Sequence, residues 1–263
     1  MAKEISKSQI DRLGERLKLG KTEDDLRLLE QYRHSFRAAH EIVYKEIREK
    51  LLLEPTKRRT KTTQSIVDKL LRESIRLTQI QDIAGCRIVA THIADQDEII
   101  EQFSKLFDEV KIIDRREKPS HGYRAIHVIV FIEKKAIEIQ VRTALQQLWA
   151  ELSEKFADML GQDVKYGGGL ERFKNFLIQR SLLIKDNEYI EGKIEEDERR
   201  LLELSNGSAL IRNKKDREKF TKDLLALQQS TQLLKQKVSE QKIAINSEMR
   251  EILNAIEEHK KQL

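Results

Sequence analysis

The hydrophobic periodicity of this chain changes twice along its length, and these changes limit which folds it can adopt. From residue 22 to 77, apolar side chains recur every three or four residues, which is typical of amphipathic helices. From 85 to 141, short apolar or alternating runs predict β-strands. After the glycine run 167–169 only the helical period remains. The pattern predicts an α/β (α+β) domain over residues 1–168 and a helical extension over 169–263.

The first domain is predicted to contain one β-sheet with helices around it. We expect helices at 22–53, 62–77, 98–107 and 144–159, and strands at 85–90, 110–113, 125–131 and 136–141. The short segment 133–135 predicts a hairpin between the last two strands. The fourth strand alternates, so Glu138, Gln140 and Arg142 share its polar face.

The extension is predicted to form two helices, at 170–205 and 214–262, separated by the turn cluster 205–208. From Phe220 to Ile245 the second helix carries a seam in alternating steps of four and three, as in a coiled coil or a helical hairpin. After Ile245 the register slips by one residue, and Met249, Ile252, Ile256 and His259 continue the seam. The seam requires a partner. The sequence leaves two open: the 170–205 helix, or another subunit in a homo-oligomer.

Composition narrows the class of protein. Charged residues make up 36% of the chain and apolar residues 39%, which indicates a helix-rich protein with long solvated faces. The longest apolar runs are too short to span a bilayer, and the first residues lack the apolar core of a secretion signal, so no membrane contact is expected. Cys86 is the only cysteine, which excludes an internal disulfide. We expect a reduced, cytoplasmic protein.

Positive charge is concentrated locally. The net charge is small, 50 − 45 = +5, but seven Lys and Arg lie between Lys57 and Arg76 against two acidic residues. This segment is either an anion-binding site or a solvated basic face.

Two carboxylates stand where they could share a site with these cations. Asp82 precedes the first predicted strand and Glu138 lies on the polar face of the fourth. Carboxylates on neighbouring strands would form an oxygen site for Mg²⁺, and beside Lys and Arg they point to a nucleoside triphosphate. The alternative is an ordinary solvent-facing strand face. The sequence has no GxxxxGK[ST] or GxGxxG loop, so side-chain cations must bind the phosphates.

Two ring side chains could contact a base. Tyr123 lies in a loop with a Gly hinge, where it is either a packing residue or a stacking platform for a base. His127, in the third predicted strand, is either a core histidine or a ligand contact.

Four separated motifs occur in a recognisable order. They are Arg59-x-Lys61 with Lys69, then Asp82-Ile-Ala-Gly-Cys-Arg87, then Lys118-Pro-Ser-His-Gly-Tyr-Arg-Ala-Ile-His127, then Glu138-Ile-Gln-Val-Arg-Thr143. Together they resemble the synthetase domain of the RelA/SpoT family, most closely the small alarmone synthetases, over about residues 22–160. The resemblance implies a nucleotidyltransferase-like mixed sheet flanked by helices. It also implies a GTP/GDP diphosphokinase that transfers pyrophosphate from ATP to the ribose 3′-hydroxyl of GDP or GTP in a stringent-response-type pathway.

The resemblance assigns donor-side and catalytic roles. Arginines that sandwich adenine match Arg59 and Arg87, and ligands of the ATP phosphates match Lys61 and Lys69, with Ser65 on the same helical face. Asp82 matches the magnesium carboxylate. Glu138 matches the residue that helps to hold Mg²⁺ and activates the 3′-hydroxyl.

On the acceptor side, Tyr123 matches a tyrosine that stacks on guanine. Four further residues match positions that line the acceptor: Lys118, His127, Gln140 and Arg142. The chain departs from the family pattern in this loop, where Ser-His-Gly replaces Asn-Gly before the tyrosine and Ala125 replaces a serine. The acceptor base is therefore expected to be held differently.

Two alternatives remain open. The first is a toxic relative that pyrophosphorylates the 3′ end of tRNA, with which the basic pI of about 9.1 and the altered loop agree. The second is a non-catalytic nucleotide-binding scaffold. The presence of both Asp82 and Glu138 speaks against it, because a binding module has no need of two carboxylates in a phosphate-binding cleft.

Overall fold

The computed structural model describes residues 5–57, 60–207 and 213–262. Contacts divide the chain into two compact units. The first contains residues 1–89, 98–114 and 126–141, and the second contains 90–97, 115–125 and 142–263. Residues 142–168 are thus grouped with the helical extension. The predicted division into domains at 168/169 stays a prediction about the sequence.

A five-stranded sheet contains the four predicted strands and one short additional strand. The strands are β1 (Thr56–Lys57), β2 (Ala84–Ala90), β3 (Val110–Asp114), β4 (Ile126–Ile132) and β5 (Lys135–Thr143), in the order β1-β2-β5-β4-β3. β1 pairs antiparallel with β2, and β4 pairs antiparallel with both β3 and β5. The predicted α/β class, with helices flanking the sheet, is confirmed.

The predicted hairpin joins β4 to β5 through a two-residue turn. Glu133 and Lys134 both have positive φ, 47° and 65°, as a type I′ turn requires. The resulting register places His127 opposite Gln140 and Ile129 opposite Glu138. The hairpin thereby brings the polar residues of two strands together.

The predicted helix at 22–53 is two helices, α2 (Glu23–His34) and α3 (Arg37–Lys50). Ser35 causes the break, because its hydroxyl donates to the Tyr32 carbonyl and competes with the helical pattern. Phe36 is buried and packs edge-on against Tyr32 with ring centroids 5.2 Å apart. The sequence did not predict this break, because the apolar period continues through it without interruption.

One further helix was not predicted, and two predicted helices begin or end several residues away from the expected positions. An unpredicted helix, α1 (Lys7–Leu19), starts at a capping box formed by Ser6 and Gln9. α4 is shorter than predicted, Thr63–Glu73, and ends at Ser74 in the left-handed conformation. α5 begins at Ile93 rather than Glu98 and ends at Leu106.

The second unit is built on three helices, α6 (Ala144–Leu160), α7 (Glu171–Gly207) and α8 (Lys214–Gln262). They share one apolar core, to which all three contribute buried side chains: Leu145, Leu148, Trp149, Leu152, Phe156, Leu177, Ile184, Ile245, Met249 and Ile256. α6 and the extension are therefore parts of the same packed structure.

The seam of α8 packs against α7, so the intrachain partner left open by the sequence is present. Lys235 pairs with Glu198, and Lys242 pairs with Glu191. The residue numbers rise along α8 as they fall along α7, so the two helices are antiparallel. The seam is buried at five positions: Thr231, Val238, Ile245, Met249 and Ile256. The step from Ile245 to Met249 is the predicted slip in register.

The predicted turn cluster at 205–208 is wrong for its first three residues, because 205–207 belong to the last turn of α7. Its fourth residue, Ser208, lies outside the described residues. No helix within the described ranges combines the length and the apolar character needed to cross a membrane.

Candidate active site

Lys61 and Lys69 converge on the Asp82 carboxylate in the first unit. Lys61 Nζ donates to Asp82 Oδ2 at 2.6 Å, and Lys69 Nζ donates to Oδ1 at 3.0 Å. Lys61 precedes Thr62, the N-cap of α4, so the two lysines do not share a helical face as their spacing suggested. The Lys61 backbone N–H instead bonds the Ile83 carbonyl, next to Asp82. The predicted grouping of the three residues is present, although it is formed differently.

Asp82 is kept ionised by its two lysines. Burial alone would raise the pKa of this carboxyl group, but the charges of Lys61 and Lys69 outweigh burial and lower the pKa below its ordinary value. The negative charge of Glu138 acts on Asp82 in the opposite direction, so the two carboxylates are electrostatically coupled. The cluster therefore holds a carboxylate that is ionised at neutral pH beside two ammonium groups.

Glu138 is buried on β5 with both carboxylate oxygens engaged. Oε1 lies 2.8 Å from His127 Nδ1, and Oε2 accepts from Gln140 Nε2 at 3.0 Å. β2 approaches Glu138 so closely that a Cβ on Gly85 would lie 2.1 Å from the Glu138 carbonyl oxygen. Only glycine fits at position 85. The contacts with His127 and Gln140 hold the Glu138 carboxylate in one orientation.

Of the other residues predicted on the donor side, Ser65 and Arg87 are more exposed than Glu138. Ser65 is exposed in the first turn of α4, where its N–H donates to the Thr62 hydroxyl and that hydroxyl donates to Ser65 Oγ at 2.8 Å. Arg87 is half-buried on β2, opposite Thr56 of β1. Arg59 lies outside the described residues.

A tight turn presents Tyr123 in the second unit. The Tyr123 N–H donates to the Ser120 carbonyl at 2.9 Å, and the two central residues, His121 and Gly122, have φ of 52° and 88°. Positive φ at both positions is typical of a type I′ turn. His121 thus occupies a position that favours asparagine, and the turn forms despite the unusual sequence. Lys118 is exposed just before it.

Tyr123 and Arg142 contact each other through hydroxyl and ring. Arg142 Nη2 donates to Tyr123 Oη at 2.7 Å, and the Arg142 guanidinium lies 5.1 Å from the centroid of the Tyr123 ring. Gln147 Oε1 accepts from Arg142 Nη1 at 2.9 Å. The pair joins an aromatic face to a buried cation, a combination suited to a nucleotide base and its phosphates.

Sequence reasoning missed two residues of this group. Gln147 positions Arg142, and Glu188 of α7 bonds Arg124 and Thr143, the residues that follow Tyr123 and Arg142. The spacing Thr143-x-x-Gln146 is a capping-box signal that identifies the start of α6. No comparable signal marks Glu188, because its partners are 45 and 64 residues away.

The carboxylates suit Mg²⁺ in number and kind. Within the described ranges there is no group of three or more His, Cys, Asp or Glu side chains able to hold a metal. Mg²⁺ is commonly bound by one or two carboxylates together with substrate phosphates and water, rather than by a complete protein cage. The donor set of Asp82 and Glu138 therefore fits this ion.

Comparison with known proteins agrees with the motifs. Residues 58–157 match the family described as the region found in RelA / SpoT proteins. An uncharacterized protein of Mycobacterium tuberculosis, Rv1366, is 38% identical over 112 residues, 41% of each chain. The GTP pyrophosphokinase YwaC of Bacillus subtilis is 34% identical over 129 residues, which are 43% of this chain and 61% of YwaC.

Solved structures show the same fold. Small alarmone synthetase 1 of Bacillus subtilis matches with a TM-score of 0.52 and 22% identity, over 65% of this chain and 98% of that one. A GTP pyrophosphokinase family protein of Streptococcus pneumoniae matches with a TM-score of 0.51 and 23% identity, over 67% and 95%.

The region from 58 to 157 of this chain belongs to the RelA/SpoT family, and the fold around it is that of the small alarmone synthetases. The alignments span 41% of the length of the mycobacterial relative and 61% of YwaC.

Proposed function

We propose that this protein is a (p)ppGpp synthetase, which transfers pyrophosphate from ATP to the ribose 3′-hydroxyl of GDP or GTP. The observation that carries the proposal is the cluster in which two lysines hold Asp82 while His127 and Gln140 hold Glu138. It combines cations for a polyphosphate, carboxylates for Mg²⁺ and an oriented base. Membership of residues 58–157 in the RelA/SpoT family supports the same reaction.

On the donor side, Lys61 and Lys69 bind the ATP phosphates as point charges. Arg59 and Arg87 hold adenine between their guanidinium planes, and Ser65 adds a hydroxyl in the first turn of α4. Asp82 and Glu138 are the residues that would hold Mg²⁺, which neutralises charge developing on the phosphates. Asp82 is already ionised, so it can bind the cation without first losing a proton.

On the acceptor side, Tyr123 stacks on guanine, and Arg142, Lys118, His127 and Gln140 contact the rest of the nucleotide. The 3′-hydroxyl oxygen attacks the β-phosphorus of ATP, and the bond from that phosphorus to the α,β-bridging oxygen breaks. AMP leaves with the bridging oxygen, and Glu138 accepts the hydroxyl proton. The contacts of Glu138 with His127 and Gln140 support this role, because they hold the carboxylate in one orientation.

The decisive experiment follows label from γ-³²P-ATP in the presence of Mg²⁺, with GDP, GTP or deacylated tRNA as acceptor. We expect label on GDP and GTP, and loss of about 10²–10⁴-fold in rate for Glu138→Gln, the range of a general base. Asp82→Asn should be similarly inactive. Label confined to tRNA would favour the alternative acceptor, and normal transfer by both variants would refute the assignment.

A further inference from the structure

Glu188 of α7 is a buried carboxylate whose oxygens bind three side chains. Oε2 accepts from Arg124 Nη2 at 2.5 Å. Oε1 accepts from Thr143 Oγ1 at 3.2 Å and from Gln146 Nε2 at 2.5 Å. Burying a carboxylate is costly unless it is paired and hydrogen-bonded, and Glu188 meets both conditions.

Two of these partners adjoin the residues proposed to bind the acceptor. Arg124 directly follows Tyr123, and Thr143 directly follows Arg142. Consecutive Cα atoms are separated by about 3.8 Å, so holding one residue strongly restricts the backbone of the next. Tyr123 and Arg142 already contact each other through their side chains. Glu188 links the same two chain segments a second time.

α7 also supports the turn that presents Tyr123. A Cβ on Gly122 would lie 3.3 Å from Ser181 Cβ and 3.4 Å from the Leu177 carbonyl oxygen, both on α7. Arg124 additionally donates through Nη1 to the Arg116 carbonyl, which closes the segment from 116 to 124. The turn is therefore held at its tip by helix packing and at its end by the Glu188 ion pair.

We propose that Glu188 is a positioning residue that fixes Tyr123 and Arg142 in the geometry that binds the acceptor guanine nucleotide. The inference rests on the proposed function for the identity of the acceptor. It assigns the support of the proposed acceptor residues to α7, outside the RelA/SpoT match at 58–157. Stability alone does not require this ion pair, because well-packed apolar residues often replace a buried pair without loss.

The test is steady-state kinetics of the full chain with Glu188→Gln, which keeps the side-chain shape and removes the charge opposite Arg124. We expect KM for GDP and GTP to rise about ten- to hundredfold, as small misplacements of binding groups do. KM for ATP and kcat at saturating acceptor should change little. A fall in kcat together with similar rises in KM for ATP and for the acceptor would indicate general disruption of the fold. That result would overturn the proposal.

Glu191→Gln is the matched control. Glu191 lies on the same helix and pairs with Lys242 of α8, so it shares the chemistry of Glu188 but not its partners. The control should leave acceptor KM unchanged. A rise equal to that in Glu188→Gln would contradict a specific role for Glu188.

A double variant separates positioning from folding. Arg124→Met with Glu188→Met removes both charges and leaves neither unpaired, so we expect the folded state to be retained. Acceptor KM should stay about tenfold or more above the wild-type value, because apolar packing lacks the directional bonds to Thr143 and Gln146. A folded double variant with normal acceptor KM would show that the pair serves stability only.

Trp149, the only tryptophan in the chain, gives a readout that does not depend on activity. Its indole N–H donates to the Leu177 carbonyl, and its ring centroid lies 6.3 Å from that of Tyr123. In Glu188→Gln, acrylamide should quench its fluorescence more strongly, with no change in Glu191→Gln. Identical quenching in wild type and Glu188→Gln would refute the positioning role even if the wild type does not use guanine nucleotides.

Discussion

Each oxygen of the Asp82 carboxylate is held by a different lysine, and this arrangement allows the donor side to be tested alone. Lys61→Met or Lys69→Met should raise KM for ATP about ten- to hundredfold, the value of a charge-assisted bond to phosphate. KM for GDP should change much less. Steady-state kinetics measures both, with Lys45→Met, an exposed lysine of α3, as the control. Equal effects on both substrates would contradict the division of roles.

The lowered pKa of Asp82 predicts how stability depends on pH. A carboxylate with a depressed pKa in the folded state stabilises the fold above its unfolded pKa, about 3.9, and this contribution is lost as pH falls through the folded value. The unfolding free energy of wild type should therefore exceed that of Asp82→Asn most above about pH 4. The difference should shrink as the pH is lowered further. Denaturant titrations at several pH values measure it, with the exposed Asp108→Asn as control.

The Tyr123 hydroxyl has a role that the sequence did not indicate. Tyr123→Ala should raise KM for GDP by about one to two orders of magnitude, because it removes a stacking contact worth about 1–3 kcal/mol. Tyr123→Phe keeps the ring but loses the bond from Arg142, so a smaller rise is expected rather than none. Isothermal titration with GDP checks both variants. Unchanged affinity in Tyr123→Ala would mean that the ring has another task.

At the scale of single residues, the sequence predicted the charged side chains of the candidate site better than the bonds that support them. Asp82, Glu138 and Lys69 could be found because charged groups at strand starts and on polar faces leave a local pattern. The supporting bonds depend on tertiary contacts. Glu188 and Gln147 are ordinary polar residues on helices until the fold brings them to Arg124 and Arg142.

Among the structural elements, the turn at 120–123 restricts its residue types strongly, because position 122 combines a positive φ with close packing. Gly122→Ala would put a Cβ at a φ of 88° and 2.9 Å from Trp149 Cζ2. It should destabilise the fold by at least about 1–2 kcal/mol, the cost of the left-handed conformation alone.

Gly192→Ala is the matched control for the turn. Gly192 lies inside α7, and nothing lies within 4 Å of its added Cβ. This change should stabilise the protein by about 0.5–1 kcal/mol, because alanine loses less entropy in a helix. Denaturant unfolding measures the change in unfolding free energy for both variants. If both substitutions stabilise the protein, or both destabilise it, the left-handed turn at Gly122 or the open helical position at Gly192 is wrongly described.

Periodicity predicted most elements but not their interruptions. Four of the five strands, and the hairpin between β4 and β5, follow from runs of apolar residues with known spacing. The break between α2 and α3 does not, because Ser35 leaves the apolar period intact while its hydroxyl bonds the backbone. β1, with two residues, is too short to carry any period.

For the whole molecule, the shared core of α6, α7 and α8 predicts that the extension supports the second unit. Met249→Ala, at a fully buried position of α8, should cost about 2–5 kcal/mol of unfolding free energy. Ile243→Ala, on the same helix but 67% exposed, should change it by less than about 0.5 kcal/mol. Thermal and denaturant unfolding measure the difference. Equal costs would mean that α8 is not packed as described.

The sequence predicted the helical character of this region and offered α7 as one of two partners for α8, but it did not predict that both helices pack against α6. The glycine run at 167–169 suggested a boundary, yet Trp149 and Leu177 lie on either side of it and belong to one core. Contacts between α6 and α8 join residues about a hundred positions apart, and no local pattern reports them. Such packing depends on complementary surfaces that only the folded chain brings together.

The ion pair between Arg124 and Glu188 has a consequence for the order in which this protein matures. During synthesis, the turn that carries Tyr123 leaves the ribosome well before α7, and α8 follows later still. Long-range contacts of this kind form slowly, because a large loop must close first. The newborn chain can thus build its sheet while the turn still lacks its support. The proposed acceptor side would mature last, so an unfinished chain should not yet carry out the proposed transfer.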